Sequence, residues 1–379
     1  MPSSEPVSVA SGRQLRSLMR PEGLVELSLV DVEVGPPREG ELLVRVEAAP
    51  INPSDLGLLF GPADLSTLRI DGDKTVAKIP QPFMAAIAGR LGQSLPVGTE
   101  GAGTVIAAGP DAASQALIGR TVAVFGGAMF AQYRTHRTAD VLVLPEGTKA
   151  KDGAASFANP LTALAMTETL RMEGHRALVH TAAASNLGQM LNRICLRDGI
   201  DLVNIVRSPE QERLLRDMGA VHVVDSSSPT FMSALILAIA ATDASLAFDA
   251  VGGGGLASEV LSAMEQAQSA KAQGYSRYGS NIHKQVYIYG GLAPTATLLA
   301  RSYGMAWGVG GWILTGFLAK LGPVGVKRLR QRVVDELTTT FASHFTAQIS
   351  LSEALNPAHI AAYAQKRTGE KYLIIPTMD

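Results

Sequence analysis

The stretch from Ala177 to Leu196 constrains the fold more than any other part of the chain. An apolar run, Ala177-Leu178-Val179, stops in small residues, and a helical pattern from Gln189 to Leu196 begins behind Gly188. Strand, tight turn and helix in this order open a dinucleotide-binding α/β unit, in which backbone N–H groups at the helix start face a pyrophosphate. The usual G-x-G-x-x-G takes the form Ala183-x-Ser185-x-x-Gly188. The turn Ala183, Ala184, Ser185, Asn186, Leu187 and Gly188 is therefore the candidate pyrophosphate site.

A second apolar run, Leu202 to Val206, ends in Arg207-Ser208. An acidic residue at this strand end accepts hydrogen bonds from a ribose 2′-hydroxyl, whereas a guanidinium binds a 2′-phosphate bidentately. Arg207, with Ser208 beside it, points to NADPH; the alternative is an ordinary solvated Arg after a strand. Arg213 is either a second phosphate contact or a surface helix position.

Length and charge narrow the classes. A chain of 379 residues suits two lobes, and a net charge of −1 supplies no basic field for nucleic acid or an anionic membrane. The single cysteine, Cys195, excludes a disulfide framework and a multi-cysteine metal site, and reads as a small buried apolar residue. Met1 to Gly12 is polar without an apolar core, which predicts no secretory signal and a cytoplasmic location. Ser302 to Ala319 carries no charge, but its glycines and its flanks Arg301 and Lys320 argue against a membrane span. With Trp307 and Trp312 it reads as a pocket wall or subunit interface.

The N-terminal third alternates short apolar runs with Gly/Pro turns: Leu24–Leu29, Glu41–Val46, Gly103–Ala108, Arg120–Val124 and Val141–Leu144. This predicts a β-rich, partly barrel-like lobe over 1–158, completed by 341–379. Over 159–340 strands alternate with helices, and Ala177–His180, Leu202–Val206, Val221–Val224, Leu246–Ala250 and Val286–Gly290 predict a doubly wound parallel sheet. Helices are expected at Gln189–Leu196, Pro209–Met218, Thr230–Ala241, Leu256–Glu265 and, after Pro323, Val324–Phe345. Pro82–Arg90, inside the long stretch Phe60 to Val97, predicts an extra helix. Lys371–Ile375 predicts a closing strand on the first lobe.

Several segments in order carry a resemblance: Pro36 to Val46, Ile51-Asn52-Pro53-Ser54-Asp55, Gly98-Thr99-Glu100-Gly101-Ala102-Gly103, Asn159-Pro160-Leu161-Thr162, the nucleotide turn, Phe248-Asp249-Ala250-Val251-Gly252-Gly253, and Gly369 to Pro376. Over nearly its whole length the chain resembles the medium-chain dehydrogenase/reductase superfamily, in its zinc-free quinone reductase and enoyl reductase branches. The resemblance implies a Rossmann domain plus a GroES-like lobe, and commonly a homodimer. It also implies that Asn52 and Thr162 lie near the nicotinamide, that Gly290 and Gly291 line its pocket, and that Asp249 and Gly252 to Gly255 form a turn over the cofactor. Zinc relatives hold their metal with Cys and His where this chain has Asn52 and Thr99, neither of them a normal zinc ligand. No metal is therefore expected. Without a Lewis acid the acceptor must already be electron-poor.

Relatives place a proton-donating Tyr shortly after the Asn-Pro-Ser-Asp segment, but no Tyr occurs between Asp55 and Tyr133. Ser54 is left as a hydroxyl donor or as a turn-capping serine. A quinone that accepts hydride gives a phenolate that water can protonate, whereas enoyl reduction needs a placed proton. The expected partner is thus a small-molecule electron acceptor, a quinone or small α,β-unsaturated carbonyl. The alternatives are an enoyl thioester or a catalytically idle NADPH-binding sensor.

Overall fold

The computed structural model describes residues 9–272 and 274–379. The expectation drawn from Met1 to Gly12 thus rests largely on Met1–Ser8, which lie outside the described residues. The chain divides into two compact units, Met1–Ala158 with Val333–Asp379, and Asn159–Arg332.

The second unit is built on a six-stranded sheet in the order His222–Asp225, Asp201–Val206, Ala177–His180, Leu246–Asp249, Lys284–Ile288, Trp307–Gly311. All five pairings are parallel. The strands are apolar along most of their length because both faces are covered; Ala177, Val179, Val203, Ile205, Ala247 and Val286 lie in one core. Chain order reverses between Ala177–His180 and Leu246–Asp249. In an open α/β sheet this switch point opens a crevice at the carboxyl ends of the strands, where ligands bind. The helices start where side chains can cap them. Ser185 accepts from the Gly188 N–H ahead of Asn186–Asp198, and Ser208, followed by Pro209, caps Pro209–Asp217.

The first unit is β-rich and antiparallel except for the parallel pair Ala347–Ile349 and Tyr372–Ile374, with two sheets over one apolar core. Ala10–Arg20 pairs with Leu24–Val34 along its full length. In the other sheet Glu41–Pro50 lies between Glu100–Ala108 and the closing strand Tyr372–Ile374. Residues 373 and 374 pair with Pro50 and Ala49, so the tail returns to this unit as expected.

Two expectations are corrected. Pro82–Arg90 forms no α-helix but two 3₁₀ turns, Gln81–Phe83 and Ala88–Arg90. Pro82 lacks an N–H, and Gly89 is a poor helix former. The Phe60–Val97 stretch instead contributes the hairpin Asp64–Asp71 and Lys74–Lys78, joined at Gly72 (φ 66°), and the short strand Ser94–Pro96. The late helix runs over Leu314–Asp335 rather than Val324–Phe345, and breaks at Gly322 (φ 78°, ψ 171°) immediately before Pro323. The Tyr303–Phe317 stretch spends its middle on the edge strand Trp307–Gly311, with Tyr303 fully buried edge-on against Trp307. Among the described residues no helix is long and apolar enough to cross a membrane.

Candidate functional site

In the second unit, Asn159–Arg332, the switch point is latched by two side chains. The Thr181 hydroxyl donates to Asp249 Oδ1 at 2.8 Å and accepts the Ala250 N–H at 2.8 Å. Asp249 also accepts the N–H groups of Val251 (2.8 Å) and Gly252 (3.1 Å). This buried carboxylate therefore finds enough donors to offset its desolvation, and it ties the ends of the two strands flanking the crevice.

The turn after Ala177–His180 explains why two of its three glycine places are filled by Ala and Ser. The left-handed backbone is carried by Ala182 (φ 52°), and Ser185 has an ordinary φ of −64°. Ala183 and Ala184 direct their methyl groups into a core with Val206, Leu215 and Val223. Only Gly188 cannot change, since a Cβ there would sit 2.2 Å from the Ala183 carbonyl oxygen. Asn186 and Leu187 open the first turn of Asn186–Asp198, whose N-terminus carries the positive end of the helix dipole. Gln189 donates to the Ala184 carbonyl at 2.9 Å and steadies the turn.

Arg207 follows the strand Asp201–Val206 with its side chain exposed, and its N–H donates to Gln211 Oε1 at 3.0 Å. The Ser208 hydroxyl is engaged as a helix cap. Arg213 is exposed on that helix. Thr162 is half-buried on Ala158–Glu173. Gly252 and Gly290 bring the loops after Leu246–Asp249 and Lys284–Ile288 backbone to backbone: a Cβ on Gly252 would lie 2.7 Å from the Gly290 oxygen. Gly291 is exposed.

His180 and Tyr289 were not anticipated. They sit at the carboxyl ends of two strands, stacked at 5.8 Å and joined Nε2 to Oη at 2.8 Å. Burial pushes the His180 imidazole down to about 3, so it is neutral. Cys195 is buried, and burial pushes its thiol upward, which suits an inert core residue.

In the β-rich unit a second polar cluster surrounds Asn52, which starts the short helix Pro53–Leu59. Asp55 Oδ2 accepts the Asn52 N–H at 2.7 Å, and Asp55 Oδ1 accepts both the Thr99 N–H (2.8 Å) and the Thr99 hydroxyl (2.5 Å). Burial raises the Asp55 carboxyl to about 6, against the pull of these hydrogen bonds and with the charge of Glu100 adding to the rise. Glu100 is fully buried. Its Oε1 accepts Asn52 Nδ2 at 2.8 Å, and its Oε2 accepts the N–H groups of Phe157 (3.0 Å) and Ala158 (2.8 Å). Asn52 Oδ1 and Lys371 Nζ are buried without a hydrogen-bond partner, and Lys371 Nζ lies 5.5 Å from the Phe345 ring centroid. Ser54 is exposed and takes no part in these hydrogen bonds. Glu100 and Lys371 went unremarked in the sequence, although a Glu leading the run Gly101-Ala102-Gly103-Thr104-Val105 is a signal for a buried charge.

No family model matches the chain. It is 30% identical over 227 residues to a mitochondrial enoyl-[acyl-carrier-protein] reductase of Xenopus tropicalis, covering 58% of this chain and 57% of that one. It is 28% identical over 213 residues to a mycocerosic acid synthase-like polyketide synthase of Mycolicibacterium smegmatis, covering 56% of this chain and 9% of that protein. The chain thus spans little more than half of the first and a tenth of the second. A solved structure from Mesorhizobium loti, a candidate NADPH:quinone reductase, superimposes with a TM-score of 0.71 at 26% identity, covering 98% of this chain and 100% of that one.

Proposed function

We propose that this chain, which has the fold of the medium-chain dehydrogenase/reductase superfamily and resembles its quinone and enoyl reductases, is a zinc-independent, NADPH-dependent reductase. The observation that carries the reading is the crevice of the nucleotide unit. Its switch point is latched by Thr181 and Asp249, it is bordered by the start of Asn186–Asp198, and it is followed on the next strand by the exposed guanidinium of Arg207. A pyrophosphate suits the turn Ala183–Gly188, and a 2′-phosphate suits Arg207. Ser208 and the Gly252 and Gly290 loops frame the same edge. When bound, the cofactor supplies a hydride.

On the β-rich unit Asn52 presents a buried carboxamide for the acceptor chemistry, and on the nucleotide unit Thr162 and Gly291 are assigned to nicotinamide binding in this reading. Zinc independence is supported by the donor set. Asn52 Nδ2 is committed to Glu100 and the Thr99 hydroxyl to Asp55, and an Asn and a Thr are not a zinc pair. Ser54 is exposed on the first turn of its helix, so the hydroxyl-donor role proposed for it requires solvent contact. A homodimer belongs to the proposal. It is supported by the outer side of Trp307–Gly311, which has no strand partner among the described residues.

The preferred acceptor is a quinone or small α,β-unsaturated carbonyl, because no tyrosine lies between Asp55 and Tyr133 and a phenolate takes its proton from water. The likeness to the Xenopus enoyl reductase favours a second reading, an enoyl thioester. An acceptor screen separates them. NADPH oxidation is followed with 1,4-benzoquinone and with crotonyl-CoA, and NADH is run alongside. Faster turnover of benzoquinone with NADPH is the expected result. Preference for the thioester overturns the acceptor, equal use of NADH overturns the cofactor assignment, and fluorescent NADPH binding without turnover leaves the idle sensor.

A further inference from the structure

The carboxamide of Asn52 could offer a ligand either its N–H₂ or its oxygen, and its neighbours decide which. Glu100 accepts through both oxygens: Oε2 takes two backbone N–H groups, from Phe157 and Ala158, and Oε1 takes Asn52 Nδ2 at 2.8 Å, which turns the amide nitrogen of Asn52 towards Glu100. At the helix start Asn52 and Asp55 form a capping box: Asp55 Oδ2 accepts the Asn52 N–H at 2.7 Å, while the Asp55 N–H donates to the Asn52 C=O at 2.9 Å and faces the Asn52 side chain without a hydrogen bond to it. Asn52 Oδ1 is therefore left buried and without a partner, a costly condition in a folded protein unless a ligand removes it.

Resting on the reductase reading above, we propose that Glu100 is a positioning residue that sets the hydrogen-bonding polarity of Asn52, so that Asn52 accepts from a donor on the bound ligand, an amide N–H or a hydroxyl. The surroundings fit. Lys371 Nζ is buried without a hydrogen-bond partner, and burial pushes its pKa down against the attraction of Glu100 and Asp55. The hydrogen bond from Ile51 N–H to the Tyr372 carbonyl, 3.0 Å, holds the Lys371 segment against the strand end that carries Asn52.

The test exchanges the polarity of the pair while keeping its shape and net charge. In Asn52→Asp, two carboxylates face each other and the lock fails. In the double variant Asn52→Asp/Glu100→Gln, the introduced glutamine can still accept from Phe157 and Ala158 through its oxygen. Its Nε2 can donate to one oxygen of the introduced aspartate, leaving the other oxygen free to accept. Melting of the cofactor-free protein, NADPH affinity by fluorescence, and kcat/KM with 1,4-benzoquinone are measured for the wild type, both single variants and the double variant.

The expected result is a drop of about 100-fold in kcat/KM for Asn52→Asp, the scale of a misplaced group, with recovery to within about tenfold of wild type in the double variant. Melting temperature should recover in parallel. Recovery of melting without recovery of kcat/KM or NADPH affinity overturns the proposal, because Glu100 would then be only structural. Failure of the double variant to recover either one overturns it too. If the wild type itself turns over no acceptor, the reductase reading falls and NADPH affinity alone judges Glu100: loss in Asn52→Asp with recovery in the double variant supports it, and any other pattern overturns it.

Discussion

Asp55 shows how one buried carboxylate can make stability depend on pH. Its carboxyl is raised from the usual 3.8 to about 6, first by burial. Because the folded value lies above the unfolded one, its contribution is fully present below about pH 3.8 and is lost as pH rises through 6. The gap corresponds to roughly 3 kcal/mol once the group is ionised. Asp55→Asn removes the titration while costing hydrogen bonds to Asn52 and Thr99 at every pH. The melting temperature of the wild type relative to Asp55→Asn should therefore fall between pH 4 and pH 7, then level off. A difference that stays flat across that range sinks the assignment. At this scale the sequence is legible where the chemistry is local. Arg207 is exposed at a strand end, and its position can be counted from the turn. It is silent where chemistry is long-range: Asn52, Glu100 and Lys371 meet only because three separated strands and their ends converge.

Elements follow the same division. The strand Ala177–His180 and the starts of Pro209–Asp217 and Leu256–Ser269 coincide with their expected positions, since apolar runs, caps and prolines mark them within a few residues. The hairpin of Asp64–Asp71 and Lys74–Lys78 was missed although Asp71-Gly72 is a turn signal, because its first strand is rich in Asp, Ser, Thr and Arg and its second has only Val76 and Ala77 as apolar residues, too few for a clear alternation. Trp307–Gly311 was missed for the opposite reason: three glycines in five residues hide a strand whose register is imposed by Lys284–Ile288. The late helix offers a clean test. Gly322 is left-handed, and an added Cβ there would meet nothing within 4 Å. Gly322→Ala thus isolates the backbone cost, about 1–3 kcal/mol for a positive φ with extended ψ, and should lower the melting temperature by a few degrees with NADPH affinity unchanged. No change in melting would mean that the break at Pro323 does not need the left-handed residue.

At the scale of the molecule the two units differ in how the chain builds them. The β-rich unit is discontinuous, and its strand Tyr372–Ile374 must return to Glu41–Pro50. The nucleotide unit is one continuous stretch with its own apolar cores. Its last helical segment is fastened within the unit, since Arg328 pairs with Glu168 and Arg332 with Asp198, each at 2.7 Å. A continuous stretch with a closed core and no borrowed strand is the arrangement expected of an independently folding domain. Residues 159–332 expressed alone should therefore fold cooperatively and be retained on immobilised 2′,5′-ADP, because the turn and Arg207 are both present. Arg207→Ala in the same fragment should elute earlier while 5′-AMP binding is kept, since only the 2′-phosphate loses its partner. The fragment should oxidise no NADPH with benzoquinone, because Asn52, Glu100 and Lys371 belong to the other unit. Retention that ignores the Arg207 change would remove the phosphate role from this residue. Turnover by the fragment would remove the β-rich unit from the chemistry, and with it the reason for burying three charged groups around one asparagine.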